Sequence, residues 1–164
     1  MTLIEVIISM AVLALIMALG APSLFEWTQN LQIRAAADAM LNGIQLAKSE
    51  AIKRNLNVQI LLVPPAAGWT VSEAASGTAI QARSAAEGSP NAQATVTPAG
   101  ATTLTFAPMG GVTSNADASA SITQIDVSNV LAPPSARNLR IVVTGGGSVR
   151  MCDPALTSPD PRAC

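Results

Sequence analysis

The chain has 164 residues, of which 49% are hydrophobic and 12% charged, with a net charge of −1 and no histidine. This length holds one small domain plus an anchor, and the near-zero charge sets up no long-range field for nucleic acid. The lack of histidine removes the commonest general base and metal ligand. Aromatics make up only 2% (Phe25, Trp27, Trp69 and Phe106), so a core must be built from aliphatic side chains.

The chain opens MTLIEVIISMAVLALIMALGAPSLF. Residues 6–25 carry no charge, and about 20 apolar residues suffice for a helix to cross a bilayer. Glu5 stands at the start of this run. A carboxylate in such a place is expensive and marks a function. A cleaved secretory signal would put basic residues first, whereas the first basic residue here is Arg34. The segment is therefore expected to stay with the chain. From residue 26 the pattern turns amphipathic, with Ile33, Ala37, Met40, Ile44, Ala47 and Ala51 recurring every three or four positions. That period predicts a helix with one buried stripe. A single helix over residues 2–54 would be about 80 Å long. Gly20 and Pro22 predict a kink or local melting near residues 15–22.

Short β-rich runs follow at 58–63, ended by Pro64 and Pro65, and at 69–72, a candidate hairpin partner. Residues 76–100 read mostly as loop, with an edge strand at 92–96. Further strands are expected at 102–106, 122–127, 139–143 and 148–151, the last two joined across Gly145-Gly146-Gly147. Together they predict one antiparallel sheet packed on the helix. Cys152 and Cys164 close the sequence. Without a C-x2-C knuckle or a histidine they are no zinc site. A disulfide in an oxidising compartment is the expected state.

The pattern Thr2-Leu3-Ile4-Glu5, followed by an apolar run and Pro22, resembles the mature N-terminus of type IV pilins and type II secretion pseudopilins. Met1 stands where that family most often has Phe. Residues 45–58 (QLAKSEAIKRNLNV), Gly68-Trp69, the Phe106-x-Pro108-x-Gly110 turn and the final strand into Cys152 resemble the GspH/FimT group in particular, with Lys48 where Arg is more usual. The resemblance covers most of the chain. It implies an α+β type IV pilin fold: a long kinked N-terminal helix, an antiparallel sheet head and a C-terminal disulfide loop. The expected division is 1–25 as transmembrane and filament-core helix, 26–54 as amphipathic helix on the head, and 55–164 as β-rich head.

The implied function is that of a structural pilus subunit, with a type II secretion pseudopilin or a DNA-binding pilin for natural transformation as alternatives. The implied partners are other pilin subunits, the inner membrane, a prepilin peptidase and an assembly platform. The implied location is the inner membrane of a bacterium before assembly and a periplasmic or extracellular filament after it. Met1 would carry a methylated amine, and Glu5 would pair with the N-terminal amine of a neighbouring subunit. In a water-free filament core an unpaired carboxylate would cost several kcal/mol. Gly147-Ser148-Val149-Arg150 resembles the G-R-x-R motif of DNA-binding FimT-type pilins, with Ser148 replacing its first arginine. Arg150, Arg140 and Arg162 are the candidate phosphate contacts. The alternative for Arg150 is an ion pair on a strand face, and Asp153 and Asp160 in the same loop would oppose DNA. Ser49, Glu50, Lys53 and Arg54 read as a solvated or head-packing helix face. No catalytic constellation, cofactor site or metal site is expected.

Overall fold

A computed structural model describes residues 2–133 and 136–164. Met1, the expected site of methylation, lies outside the described residues. Helix α1 (Leu3–Arg54) runs for 52 residues. It starts after the extended Thr2 and carries Lys53 and Arg54 in its last turn, where cations favour the negative end of the helix dipole. Asn55 ends it in the left-handed conformation (φ 54°), which asparagine tolerates better than most residues.

The helix is unbroken through Gly20 and Pro22, so of the kink or local melting expected there, the melting does not occur. Proline withdraws a single backbone donor, and the helix continues on both sides of it. Nearby, the Ser23 hydroxyl donates to the Gly20 carbonyl at 2.9 Å.

The two halves of α1 differ sharply. Leu3, Ile8 and Met17 are 81%, 57% and 63% exposed. Burial begins at Gln29 and then follows the stripe, since Ile33, Ala37, Met40, Ile44, Ala47 and Ala51 are fully buried. The stripe is amphipathic because only this half of the helix has a head to cover it.

The head holds two antiparallel sheets instead of the single one expected. The first contains β1 (Val58–Leu62), β2 (Trp69–Glu73), β3 (Ala79–Arg83), β5 (Thr103–Phe106) and β6 (Val112–Thr113), in the order β3-β2-β1-β5-β6. The second is β4 (Ala92–Thr97), β7 (Gln124–Asn129), β8 (Leu139–Val143) and β9 (Val149–Cys152), in chain order. β3 falls within the stretch read as loop. It is an edge strand whose side chains are exposed or half-buried, so it has little apolar patterning to announce it. β4 is an edge strand, as expected, with Ala92, Ala94 and Val96 turned inward.

Both sheets pack on α1. Val58, Ile60 and Phe106 from the first, and Ile125, Val127 and Ile141 from the second, complete the core. The helix approaches β2 closely at Gly43. A Cβ there would lie 2.8 Å from Cε2 of Trp69. The glycine turn joins β8 to β9, and Gly147 has φ 75°, a region glycine enters at no steric penalty.

Candidate functional site

At the N-terminal end, Glu5 occupies the first turn of α1. Its Oε2 accepts the Thr2 backbone N–H at 3.3 Å. A helix start leaves several backbone donors without partners, and Glu5 satisfies one of them. The capping role of Thr2 was not read from the sequence, although the residue itself stood in the N-terminal pattern. The T-x-x-E spacing, a capping-box pattern, was visible in the sequence. The Ser9 hydroxyl donates to the Glu5 carbonyl. Around this carboxylate, Leu3, Ile4, Ile7 and Ile8 are all more than half exposed. The single charged side chain among residues 2–25 is thus set in a broad apolar surface on one protruding rod.

Where the rod enters the head, three polar side chains fasten it. Gln29 accepts from Asn129 Nδ2 at 2.9 Å, both residues being buried. Asn30 accepts the Arg137 N–H at 3.0 Å, and Gln32 the Asn91 N–H at 3.3 Å. Gln29 lies four residues before Ile33, in line with the apolar stripe, and a glutamine in that register was a legible sign of a buried polar contact.

At the other end, Glu50 accepts from Lys53 at 3.1 Å and from Arg54 at 2.6 Å, and Arg54 also reaches Glu73 at 2.9 Å. The Arg54 and Lys53 hydrogen bonds hold the Glu50 carboxyl below its ordinary range. Ser76 and then Arg54 do the same for Glu73. This cluster ties the helix end to β2, which is the head-packing role read for it. Lys48 donates to the Gly147 carbonyl at 2.8 Å. It pins the glycine hairpin to the helix, a role the sequence did not indicate.

The candidate phosphate contacts are already engaged. Arg140 lies opposite Asp126 in the sheet register and binds its Oδ1 at 2.6 Å and Oδ2 at 3.3 Å. Arg162 pairs with Asp160 at 2.9 Å. Arg150 donates to the backbone oxygen of Cys164 at 3.0 Å and pairs with no acidic side chain among the described residues. The register Arg140↔Cys152 and Val142↔Arg150 puts Arg140 and Arg150 on the same face of the second sheet, opposite the core-facing Ile141. Arg162 is grouped elsewhere. It lines a groove of about 570 Å³ together with Trp27, Arg34 and Arg137.

Cys152 and Cys164 form a disulfide with Cα atoms 5.1 Å apart. The enclosed loop is reinforced by the Asp153 N–H to Arg162 carbonyl bond at 2.8 Å. Among the described residues no group of three acids or cysteines is placed to hold a metal ion.

No curated protein sequence matches the chain. The fold resembles that of the type IV minor pilin FimU of Pseudomonas aeruginosa PAO1, with a TM-score of 0.58 at 16% identity over 76% of this chain and 91% of that one. It also resembles the minor pseudopilin EpsH from the type 2 secretion system of Vibrio cholerae, with a TM-score of 0.56 at 14% identity over 76% of this chain and 99% of that one. These likenesses establish a type IV pilin α+β fold. The family model described as type II transport protein GspH matches residues 36–147, well over half of the chain, and the protein therefore belongs to the GspH family.

Proposed function

We infer that the chain is a structural subunit of a pilus or pseudopilus, held in the inner membrane by residues 1–25 before assembly and polymerised through the same helix. The observation that carries this is the exposure of an apolar rod on a closed head. An 18-residue window of α1 reaches a mean hydropathy of 2.6 with none of it buried. Such a surface needs lipid or other helices around it. Ala11, Ala14, Ala18 and Ala21 recur every three or four positions, which permits close helix approach. Glu5, set in that apolar surface, would leave its Thr2 contact and accept a neighbour's N-terminal amine. Membership of the GspH family supports assembly as the work of this chain.

A pilus subunit is the favoured form. A pseudopilin is the second reading, supported by the family description and by the likeness to EpsH. A DNA-uptake role would have to draw on Arg150 and on arginines already paired with Asp126 and Asp160. The test is Glu5→Ala in the native host. Membrane insertion should persist while incorporation into sheared filaments falls by an order of magnitude or more. Normal filament content would remove the pairing role. Loss of exoprotein secretion with intact surface pili, on deleting the gene, would select the pseudopilin.

A further inference from the structure

The groove at the base of the head has a composition that the assembly reading does not use. We propose that it is a dock for anionic phospholipid headgroups, which seats the head of the unassembled subunit on the membrane surface. This rests on the reading of residues 1–25 as the membrane anchor.

Position comes first. Residues 3–25 rise about 35 Å as a helix, against a hydrocarbon core of about 30 Å. Trp27 then falls at the interface, where indole rings concentrate, and it is 60% exposed. Leu31, one turn further and 46% exposed, continues the apolar wall. Arg34 follows on the same side of the groove.

Charge comes second. The head supplies Arg137 and Arg162 to the opposite wall, giving three arginines around an apolar floor. Asp153 is the one acid among the described lining residues. It is only 9% exposed, and its Oδ1 accepts the Ala155 N–H at 2.9 Å. Arg34 meets Asp38 only loosely, at 3.8 Å with both side chains exposed. Arg162 is held by both oxygens of Asp160 through Nε and Nη2, so Arg34 and Arg137 are the cations left to meet a phosphodiester. The Arg137 guanidinium makes no hydrogen bond or ion pair among the described residues, although its backbone N–H is fixed by Asn30. An aromatic at interface depth with cations just above it matches a phosphodiester beneath a polar headgroup. A neighbouring pilin head is the rival occupant, but the groove adjoins the end of the apolar run, which is where lipid is found before assembly.

The test uses the full chain reconstituted in vesicles of phosphatidylcholine alone or with added phosphatidylglycerol. Acrylamide quenching of Trp27 is read by difference from a Trp27→Phe variant, since Trp69 is 4% exposed and nearly silent to the quencher. Trp27 quenching should fall at least about twofold in the anionic vesicles and recover in high salt. The double variant Arg34→Gln, Arg137→Gln should insert normally and lose the lipid dependence. Equal quenching in both lipids, with the helix inserted by protease protection, overturns the dock and leaves the subunit reading intact. Shielding in neutral vesicles that grows with protein-to-lipid ratio assigns the groove to a second copy and also overturns it. Failure to insert overturns the dock and the anchor together.

Discussion

Gly43→Ala is a sharp test of how the helix meets the head. In an open helix interior this change adds about 1 kcal/mol of stability, because alanine loses less backbone freedom. Here the new methyl would lie 2.8 and 2.9 Å from Cε2 and Cδ2 of Trp69 and 3.1 Å from Cδ1 of Ile60. Neither neighbour can swing into solvent, as they are 4% and 1% exposed. Overpacking of this kind costs about 1–3 kcal/mol, so the net expectation is a loss of up to about 2 kcal/mol. For a domain of this size that lowers Tm by about 4 °C per kcal/mol. The assay is urea and thermal unfolding followed by circular dichroism in detergent, with Gly20→Ala as the control because nothing lies within 4 Å of it. The double-mutant cycle with Trp69→Leu decides the cause, since trimming the indole should turn Gly43→Ala neutral or stabilising. A Gly43→Ala protein more stable than the parent, or a penalty unchanged in the Trp69→Leu background, refutes the packing argument.

Other perturbations probe the remaining parts of the head. Cys152→Ser opens a loop of 12-residue separation and should remove about 3 kcal/mol in the chain-entropy model; unchanged melting on reduction would contradict this. The carboxyls of Glu50, Glu73, Asp117 and Asp160 are all held below their ordinary values by hydrogen-bond donors, Arg54, Ser76, Ser119 and Arg162 foremost. Their contribution is therefore complete above about pH 4–4.5 and drains away as pH falls through the depressed folded values. Tm should stay flat from neutrality to about pH 5 and drop below about pH 4, and Glu50→Gln should lower the plateau and shallow the drop. Gln29→Leu leaves the buried Asn129 amide only the long bond to Gln32 at 3.5 Å and should cost about 1–3 kcal/mol, measured by chemical denaturation. Lys48→Met should speed amide exchange at the glycine hairpin while leaving the β1–β2 pair protected; equal protection would show that the lysine does not hold the turn.

The sequence made the helix legible because its stripe is periodic and its apolar half is uninterrupted. The strands with β-branched or aromatic inward faces, such as Val58–Leu62 and Leu139–Val143, were legible for the same reason. β3 was not, since Ala79, Gln81 and Ala82 are exposed on an edge and carry no alternation. The division into two sheets was invisible because local patterning records which face of a strand is buried, not which strand lies beside it. Glu5 stood out by its chemistry alone. The arginines could be found but not placed: only the fold shows that Asp126 faces Arg140 across the sheet, and that Arg162 shares a cavity with Arg34.

The seam between helix and head runs from Gln29 to Ala51, a length of about 33 Å. It has a mechanical meaning. Tension applied to the protruding rod along its axis loads every contact of this seam in parallel, together with the three polar fastenings at its lower rim. Detachment then requires sliding a whole row of interdigitated side chains at once, not peeling them off one by one. A head mounted in this way is suited to a fibre that is pulled, because the same modest contacts resist shear far better than they would resist being unzipped.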